Sequence, residues 1–436
     1  MGSFVPNTKT MQEEMLHEAG YSDWRALYAD VPDSVFLEDG VDLPEGLSEL
    51  DVFREMRALA EKNVRFAHIF RGAGAYRHFV PAIVGRVVRK ESFVTAYTPY
   101  QAEISQGILQ SIFEYQTMIC ALTGMDAANA SVYDGATAAA EALQMCVSRK
   151  RTTVYISETV HPDVMRVAAT YCFGRSTELK TIPAKDGVTD TAVLKAALGD
   201  SAACVLIQSP NFFGLLEPAE KIGEAAHAAG AKFIMSCDLV SLSLFASPAA
   251  CGADIAVGEG QSLGLPLGWG GPYLGFMAAK ETMMRQLPGR IVGETKDKNG
   301  SRAFVLTLQA REQHIRREKA SSNICSNEAL CALTASVYLA AMGPDGLREA
   351  ASQCCAKAHY LQGALEKIGL SPAYGGEFFN EFVTNCSAPE AVLAALEKRG
   401  YLGGLPLPEN RLLWCATELN TKAEIDELVS IVKEAL

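Results

Sequence analysis

The chain has 436 residues, enough for two or three domains, and its 49% hydrophobic and 21% charged residues are ordinary for a folded protein with a core. Its net charge of -12 argues against nucleic acid and against anionic membrane surfaces as partners, because both are bound by clustered lysine and arginine. Apolar runs stay shorter than the roughly 18 residues of a membrane-spanning helix, so we expect no membrane partner. The twelve cysteines form no C-x-x-C pair, which predicts reduced thiols and a cytoplasmic protein.

Residues 1–65 predict an N-terminal helical arm without strands. Ser48 and Asp51 have the spacing of a capping box, the start signal of a helix. Apolar residues then recur every three positions, as they do on one helix face. The residues on this face are Leu50, Phe53, Met56 and Leu59. We expect such an arm to pack on the body of the chain or on a partner subunit.

Residues 66–325 predict a large α/β domain. Helices are expected over 101–123, with Gly124 ending it, and over the alanine-rich 137–150. Short apolar strands then alternate with helices, which is typical of a mostly parallel, doubly wound sheet covered on both faces. The predicted strands are 153–157, 204–208, 232–237, 254–257 and 273–277, with helices at 163–171 and 219–229.

Residues 326–436 predict a small C-terminal α+β domain, with a hinge near 320–328. Its strands are expected near 382 and over 412–415. The predicted helices are 328–341, 345–368, 389–399 and 422–436.

The start of the alanine-rich helix has the composition of an anion site. Small residues there leave backbone N–H groups free at the positive end of the helix dipole. A phosphate would suit this position, although the same residues could simply cap a helix after a turn. The candidates are Tyr133, Gly135, Ala136 and Thr137.

Two further candidates follow predicted strands. Asp238 ends the strand 232–237, and ligands of open α/β sheets bind beyond the carboxyl ends of the strands. Its carboxylate could hold the protonated pyridine nitrogen of a cofactor, or it could cap the next turn. His161 follows the strand 153–157 and could stack on a cofactor ring or serve as a hydrogen-bonded structural residue.

The most informative feature of this region is a missing lysine. A pyridoxal-phosphate enzyme of this fold needs a lysine some tens of residues after the aspartate, because only lysine forms the Schiff base. The first lysine after Asp238 is Lys280, which lies beyond the predicted strand 273–277. Gln261 stands where the lysine is expected, and its amide cannot condense with an aldehyde.

A polar and aromatic segment precedes the long helix at 101–123. Loops that carry such side chains are common at binding sites, although Pro99 also fits the start of a helix. The candidates are Tyr97, Tyr100, Gln101 and Glu103. The glycine-rich run 71–76 lies between no predicted strand and helix, so it does not favour a dinucleotide site.

Several long runs together resemble the glycine decarboxylase component, or P-protein, of the glycine cleavage system. The resemblance is narrower still to the alpha subunit of the two-subunit form, and it extends from about residue 10 to the C-terminus. The matching runs are 71–76, 97–103, 114–118, 133–138, 258–264, 270–275 and 311–320.

The resemblance implies fold type I, the aspartate-aminotransferase-like fold of pyridoxal-phosphate enzymes. It implies a heterotetramer of two alpha and two beta subunits that decarboxylates glycine and passes the aminomethyl group to the lipoyl arm of H-protein. The beta subunit would carry the cofactor lysine, whose place in this chain is Gln261. This chain would then be inactive alone, with a vestigial cofactor pocket, and its loop at 97–103 would complete the active-site channel of the partner.

Three other functions stay open at this point. The chain could be an independently active pyridoxal-phosphate enzyme that uses another lysine, or a scaffold whose pocket has degenerated. A nucleotide-binding dehydrogenase is the least favoured, because no G-x-G-x-x-G run lies between a strand and a helix.

Overall fold

A computed structural model describes residues 7–37, 40–94 and 98–436. The chain divides into two compact units, one ending at Val64 and one running from Arg65 to Leu436. The boundary expected near residue 325, between the large α/β domain and the small C-terminal domain, stays a prediction.

The first unit consists of helices and loops in the part that the structure describes. Its two α-helices are α1 (Lys9–Glu18) and α2 (Glu49–Ala60). The side chains of Thr8 and Ser48 accept hydrogen bonds from the amides of Met11 and Asp51, so each caps the helix that follows it. The helix predicted from the Ser48 signal is confirmed.

Short strands alternate with helices through the second unit. Its helices are α3 (Ala82–Val88), α4 (Glu91–Val94), α5 (Gln106–Thr123), α6 (Gly135–Cys146), α7 (Pro162–Gly174), α8 (Thr191–Ala197), α9 (Ala219–Ala228), α10 (Gln313–Arg316), α11 (Ala329–Glu366), α12 (Pro389–Lys398) and α13 (Lys422–Ala435). Its first strands are β1 (His68–Ile69), β2 (Ala127–Ala128), β3 (Thr153–Ser157), β4 (Glu178–Ile182), β5 (Ala184–Lys185), β6 (Val188–Thr189), β7 (Ala202–Gln208) and β8 (Lys232–Ser236). The others are β9 (Ile255–Glu259), β10 (Gly275–Ala279), β11 (Ile291–Lys296), β12 (Arg302–Thr307), β13 (Glu381–Asn385), β14 (Tyr401–Leu402), β15 (Leu405–Leu407) and β16 (Arg411–Cys415).

A seven-stranded sheet in the order β2-β10-β9-β8-β7-β3-β4 organises this unit. The run from β4 to β9 is parallel, while β10 and β2 pair antiparallel at one edge. The mostly parallel, doubly wound sheet is therefore confirmed. Because parallel strands end at the same edge, the residues that follow β3, β7, β8 and β9 lie close together.

Both faces of the sheet are buried, which explains the continuous apolar strands. Alternate residues of β3 enter different cores: Tyr155 packs with Phe233 on one side, and Ile156 packs with Leu206 on the other. Helices α5, α9 and α11 cover the first side, and α6 and α7 cover the second.

Several predicted boundaries need correction. The helix expected from residue 101 begins at Gln106, because a separate 3-10 turn (Ala102–Ile104) precedes it. The alanine-rich helix begins at Gly135, two residues before its predicted start. The two helices expected at 328–341 and 345–368 are confirmed, since α11 consists of two helical segments that meet at a kink at Gly343, with φ 61°.

The C-terminal strands form a second, smaller sheet. Strands β13, β16 and β15 pair antiparallel in that order, and helices α12 and α13 pack beside them. Trp414 on β16 is fully buried here, and its indole N–H donates to the hydroxyl of Thr384 at 2.9 Å. This region therefore has its own apolar core.

One helix of the described residues, α11, is long and apolar enough to cross a membrane by length and composition alone, with 44% of its most apolar window buried. Core helices pass the same test. Cys331, Ala335 and Tyr338 of α11 pack into the apolar core on one face of the seven-stranded sheet. Their burial accounts for the apolar composition of this helix.

The loop after β7 is held against the start of β13 by a close backbone approach. Gly214 has φ 88°, and a Cβ at this position would lie 1.9 Å from the carbonyl oxygen of Glu381. The amide of Phe379 donates to the carbonyl of Gly214 at 3.2 Å. Only glycine tolerates both the positive φ and this close approach to a carbonyl oxygen. Gly214 therefore fixes the backbone that carries the Glu381 side chain.

We expect Gly214→Ala to destabilise the chain more than a matched change at Gly400, which has φ 77° and open space around it. Gly400→Ala costs only the left-handed backbone conformation, about 1–2 kcal/mol. Gly214→Ala adds a clash with a carbonyl oxygen and should cost at least about 2 kcal/mol more. Urea unfolding midpoints of the two variants measure the difference, and equal midpoints would contradict the steric argument.

Candidate functional site

A cavity of about 760 Å³ lies at the carboxyl edge of the seven-stranded sheet. Six of the residues singled out in the sequence line it: Tyr133, Gly135, Ala136, His161, Asp238 and Gln261. Thr137 is buried behind the lining rather than part of it. The structure thus assembles most of the predicted pocket, although the chemistry of the pocket differs from that of a phosphate site.

The start of helix α6 is closed by two carboxylates of this chain. Asp134 is the N-cap residue and accepts from the amide of Thr137 at 2.7 Å. The amide of Gly135 donates to Glu259 Oε2 at 2.9 Å. Gly135 permits this approach, because a Cβ there would lie 2.8 Å from the amide nitrogen of Glu259. Two of the N–H groups expected to hold a phosphate, those of Gly135 and Thr137, are therefore already paired with acids.

Glu259 ends strand β9 and binds three backbone amides at once. Besides Gly135, the amides of Leu274 and Gln261 donate to its Oε1 at 2.8 and 3.0 Å. Burial raises its pKa to about 7, although these hydrogen bonds favour the charged form. The carboxyl group occupies the position where an anionic ligand would meet the helix.

The side chain of Gln261 is likewise buried and hydrogen-bonded to the backbone of this chain. Its side chain is 1% exposed and accepts from the amide of Tyr76 at 2.8 Å. Its amide nitrogen donates to the carbonyls of Tyr76 and Leu265, both at 2.9 Å. Both N–H donors and the oxygen of this amide are hydrogen-bonded, so Gln261 holds the segment around Tyr76 in place.

Asp238 follows strand β8 and has both of its carboxyl oxygens bound. The amide of Ser241 donates to Oδ1 at 2.8 Å, and the hydroxyl of Ser262 donates to Oδ2 at 3.2 Å. Burial raises the pKa of this carboxyl group, while the charge of His78 lowers it. The contacts are those of the capping role that the sequence also allowed.

His161 caps helix α7 rather than presenting a free ring. Its Nδ1 accepts from the amide of Asp163 at 3.1 Å, and its Nε2 therefore donates to the carbonyl of Ala73 at 2.9 Å. The ring meets Phe212 edge-on, with centroids 5.1 Å apart. These contacts fit the hydrogen-bonded structural alternative.

The candidates of the loop before α5 are placed apart from this cavity. Tyr97 lies outside the described residues. Tyr100, Gln101 and Glu103 are exposed, and none of the three belongs to the lining of the cavity. The predicted site residues therefore form two separate groups, one that lines the cavity and one in the loop before α5.

A second buried carboxyl group lines the cavity, and it was not among the site residues predicted from the sequence. Glu381 on β13 accepts from the amide of Ala73 at 2.6 Å and from the hydroxyl of Tyr76 at 2.7 Å. Burial raises its pKa to about 7. The glycine-rich run 71–76 was the available signal, since Gly72 lets the chain pass beside Glu381. No spacing rule connects residues more than 300 positions apart.

The charges around the cavity do not fit pyridoxal phosphate. The cofactor needs a lysine and a cradle for a phosphate dianion, and the lining contains no lysine. Arg166 and His161 are its basic residues, and Arg166 is paired with Asp163. The lining acids are Asp134, Asp163, Asp238, Glu259, Glu328 and Glu381. A phosphate would meet more acidic than basic side chains here, so the residues of this cavity do not fit the cofactor.

The raised pKa values of Glu259 and Glu381 predict that stability falls as pH rises. The folded chain holds two protons that the unfolded chain releases above about pH 4.5, so the free energy of unfolding decreases between pH 5 and 8. Each group contributes up to about 3 kcal/mol to this decrease. In Glu381→Gln the decrease should be about half as large, whereas Glu434→Gln, at an exposed position, should leave it unchanged. Urea midpoints at pH 5, 6.5 and 8 measure it, and equal slopes in all three proteins would contradict the assignment.

Residues 2–432 match the family model described as glycine cleavage system P-protein. A protein of Moorella thermoacetica described as probable glycine dehydrogenase (decarboxylating) subunit 1 is 50% identical over 443 residues, covering 100% of both chains. A crystal structure of glycine decarboxylase (P-protein) of the glycine cleavage system, in inhibitor-bound form, superimposes with a TM-score of 0.94 at 45% identity over 100% of both chains.

The fold is shared more widely than the family. An aspartate aminotransferase from Thermus thermophilus superimposes with a TM-score of 0.58 at 15% identity, over 84% of this chain and 98% of that one. This likeness confirms the aspartate-aminotransferase-like fold type I and shows the fold alone. The full-length match to the family model and the 50% identity go further: the chain belongs to the P-protein family of the glycine cleavage system.

Proposed function

We propose that this chain is the lysine-free alpha subunit of a two-subunit glycine dehydrogenase (decarboxylating). The observation that carries the proposal is the closed state of the pocket, where Gln261 is held by three hydrogen bonds and Glu259 occupies the helix start. The name "subunit 1" of a relative that is 50% identical supports a division of labour between two chains.

The proposed reaction is the decarboxylation of glycine, with the aminomethyl group passing to the lipoyl arm of H-protein. Loss of carbon dioxide leaves a carbanion that side chains cannot stabilise, and pyridoxal phosphate supplies the electron sink. The beta subunit is proposed to bind that cofactor, in a heterotetramer of two alpha and two beta chains. A cytoplasmic location belongs to the same proposal and rests on twelve cysteines without a C-x-x-C pair.

The proposed contribution of this chain is the loop that contains Tyr100, Gln101 and Glu103. Tyr100 is 66% exposed, and the guanidinium of Arg290 lies over its ring at 5.4 Å and donates to its hydroxyl at 3.2 Å. Arg290 itself is 4% exposed. A buried arginine thus anchors an exposed aromatic residue, which is the arrangement expected of a preorganised surface that closes the partner's active-site channel.

We expect the isolated chain to show no visible absorbance of lysine-bound pyridoxal phosphate and no glycine decarboxylation with H-protein. Mixing it with the beta subunit should produce both. Gln261→Lys in the isolated chain should still give no band, because Glu259 and Asp134 keep the helix start closed to phosphate. Spectra and carbon dioxide release from the same samples measure these outcomes.

Each alternative has its own outcome in that experiment. A band and turnover from the isolated chain would mean that another lysine carries the reaction. Full turnover from the beta subunit alone would leave this chain the role of a scaffold.

We expect Tyr100→Phe and Glu103→Gln to lower kcat/KM for glycine about tenfold in the assembled enzyme, the effect of losing one hydrogen bond to a charged group. Tyr360→Phe is the matched control, since Tyr360 is also exposed and its hydroxyl donates to Asp426 on the remote helix α13. Steady-state rates with saturating H-protein measure the effect. Unchanged kcat and KM in both loop variants would exclude the loop from the site.

A further inference from the structure

Three potential metal ligands meet at a point that the cavity does not include. Glu418 Oε2 lies 2.8 Å from His78 Nδ1 and 3.2 Å from Cys354 Sγ. The three ligand atoms all lie within 4.8 Å of one another. A nitrogen, a thiol sulfur and a carboxylate oxygen at such separations form the ligand set that zinc accepts in proteins.

Separate parts of the fold supply these ligands. His78 precedes helix α3, Cys354 lies on α11, and Glu418 lies between β16 and α13. The side chains of His78 and Glu418 are 3% and 13% exposed, and Cys354 is fully buried. The amide of Phe79 donates to Glu418 Oε1 at 2.6 Å, which orients the carboxylate towards the other two ligands.

A fourth polar group in the same interior has no partner. The hydroxyl of Tyr338 is buried and, within the described residues, makes no hydrogen bond. Burial raises the pKa of this hydroxyl, and the nearby charge of Glu418 raises it further. A buried hydroxyl without a partner is costly, and a metal-bound water would give it one.

We propose that His78, Cys354 and Glu418 bind one zinc ion, with a water as the fourth ligand. Zinc would displace the proton of the Cys354 thiol and the proton that His78 Nδ1 shares with Glu418; both are released to solvent, and zinc binds the sulfur and the electron pair freed on Nδ1. Without metal, His78 Nδ1 and the Cys354 thiol both donate hydrogen bonds to Glu418 Oε2. Three protein ligands with an open fourth position give the coordination number that zinc prefers.

Such an ion would join segments that are far apart in the chain. His78 and Glu418 are 340 positions apart, and Cys354 and Glu418 are 64 apart. A ligand that binds only the folded state stabilises it by an amount that grows with the logarithm of the ligand concentration, so zinc should raise the unfolding temperature. This role is independent of glycine decarboxylation, because none of the three residues lines the cavity or belongs to the loop at 97–103.

The test is a titration of the untagged full-length chain after removal of metals by a chelator and dialysis. We expect one equivalent of cobalt(II) to give a near-ultraviolet thiolate-to-cobalt band, which one equivalent of zinc then abolishes. Cys354→Ser should lose the band. Cys355→Ser is the matched control, because this neighbouring thiol is partly buried and lies outside the cluster.

The proposal is overturned if the unmodified chain shows no band, whatever the variants do. A band that survives in Cys354→Ser would also overturn it, since another thiol would then be the ligand. If the circular dichroism of Cys354→Ser shows a misfolded chain, Glu418→Gln replaces it, and an unchanged zinc affinity there overturns the proposal. We expect that affinity to fall at least about tenfold.

Discussion

What the cavity can bind depends first on one contact, that between the carboxyl group of Glu259 and the start of helix α6. The positive end of a helix and its unpaired N–H groups attract an anion, and in an open α/β sheet they face the ligand crevice. Here the acceptor comes from the chain itself, with three backbone amides donating to one carboxyl side chain. Such hydrogen bonds contribute about 0.5–1.5 kcal/mol each, so a free ligand would have to displace a stable arrangement.

The crevice nevertheless remains, because the topology produces it. Five parallel strands end at one edge, and the connections that follow them cannot fill the space between the sheet and the C-terminal strands. The cavity is therefore an open volume lined with acids, while both apolar cores of the sheet are complete. Since the cores are complete without a bound group, the fold does not depend on one.

The sequence predicted the fold well, and it predicted the site only in part. Apolar strands such as β3 and β7 were recognised because burial on both faces leaves a continuous signal, whereas the edge strand β4 was missed because charged residues interrupt it. Gln261 was predicted from one local run to stand at the position of the lysine, and the structure places it in the lining of the cavity. The roles of Glu259 and Glu381 were not predicted, since each depends on a partner more than 100 positions away. Periodicity reports local structure, and such pairs appear only when the chain has folded.

The contacts of Gln261 also show that the backbone around this position is adapted to a glutamine. A lysine here would therefore disturb more than one side chain. Glutamine offers both an acceptor and donors, and it uses the acceptor for the amide of Tyr76 and the donors for two carbonyls. Lysine offers donors alone, so a lysine here would leave the amide of Tyr76 without an acceptor at a cost of about 1–3 kcal/mol. That amide belongs to the segment that also contacts Glu381. Schiff-base chemistry at this position would therefore require new partners for the Tyr76 segment and for the start of α6 together, so exchange of the glutamine for lysine would not by itself be enough.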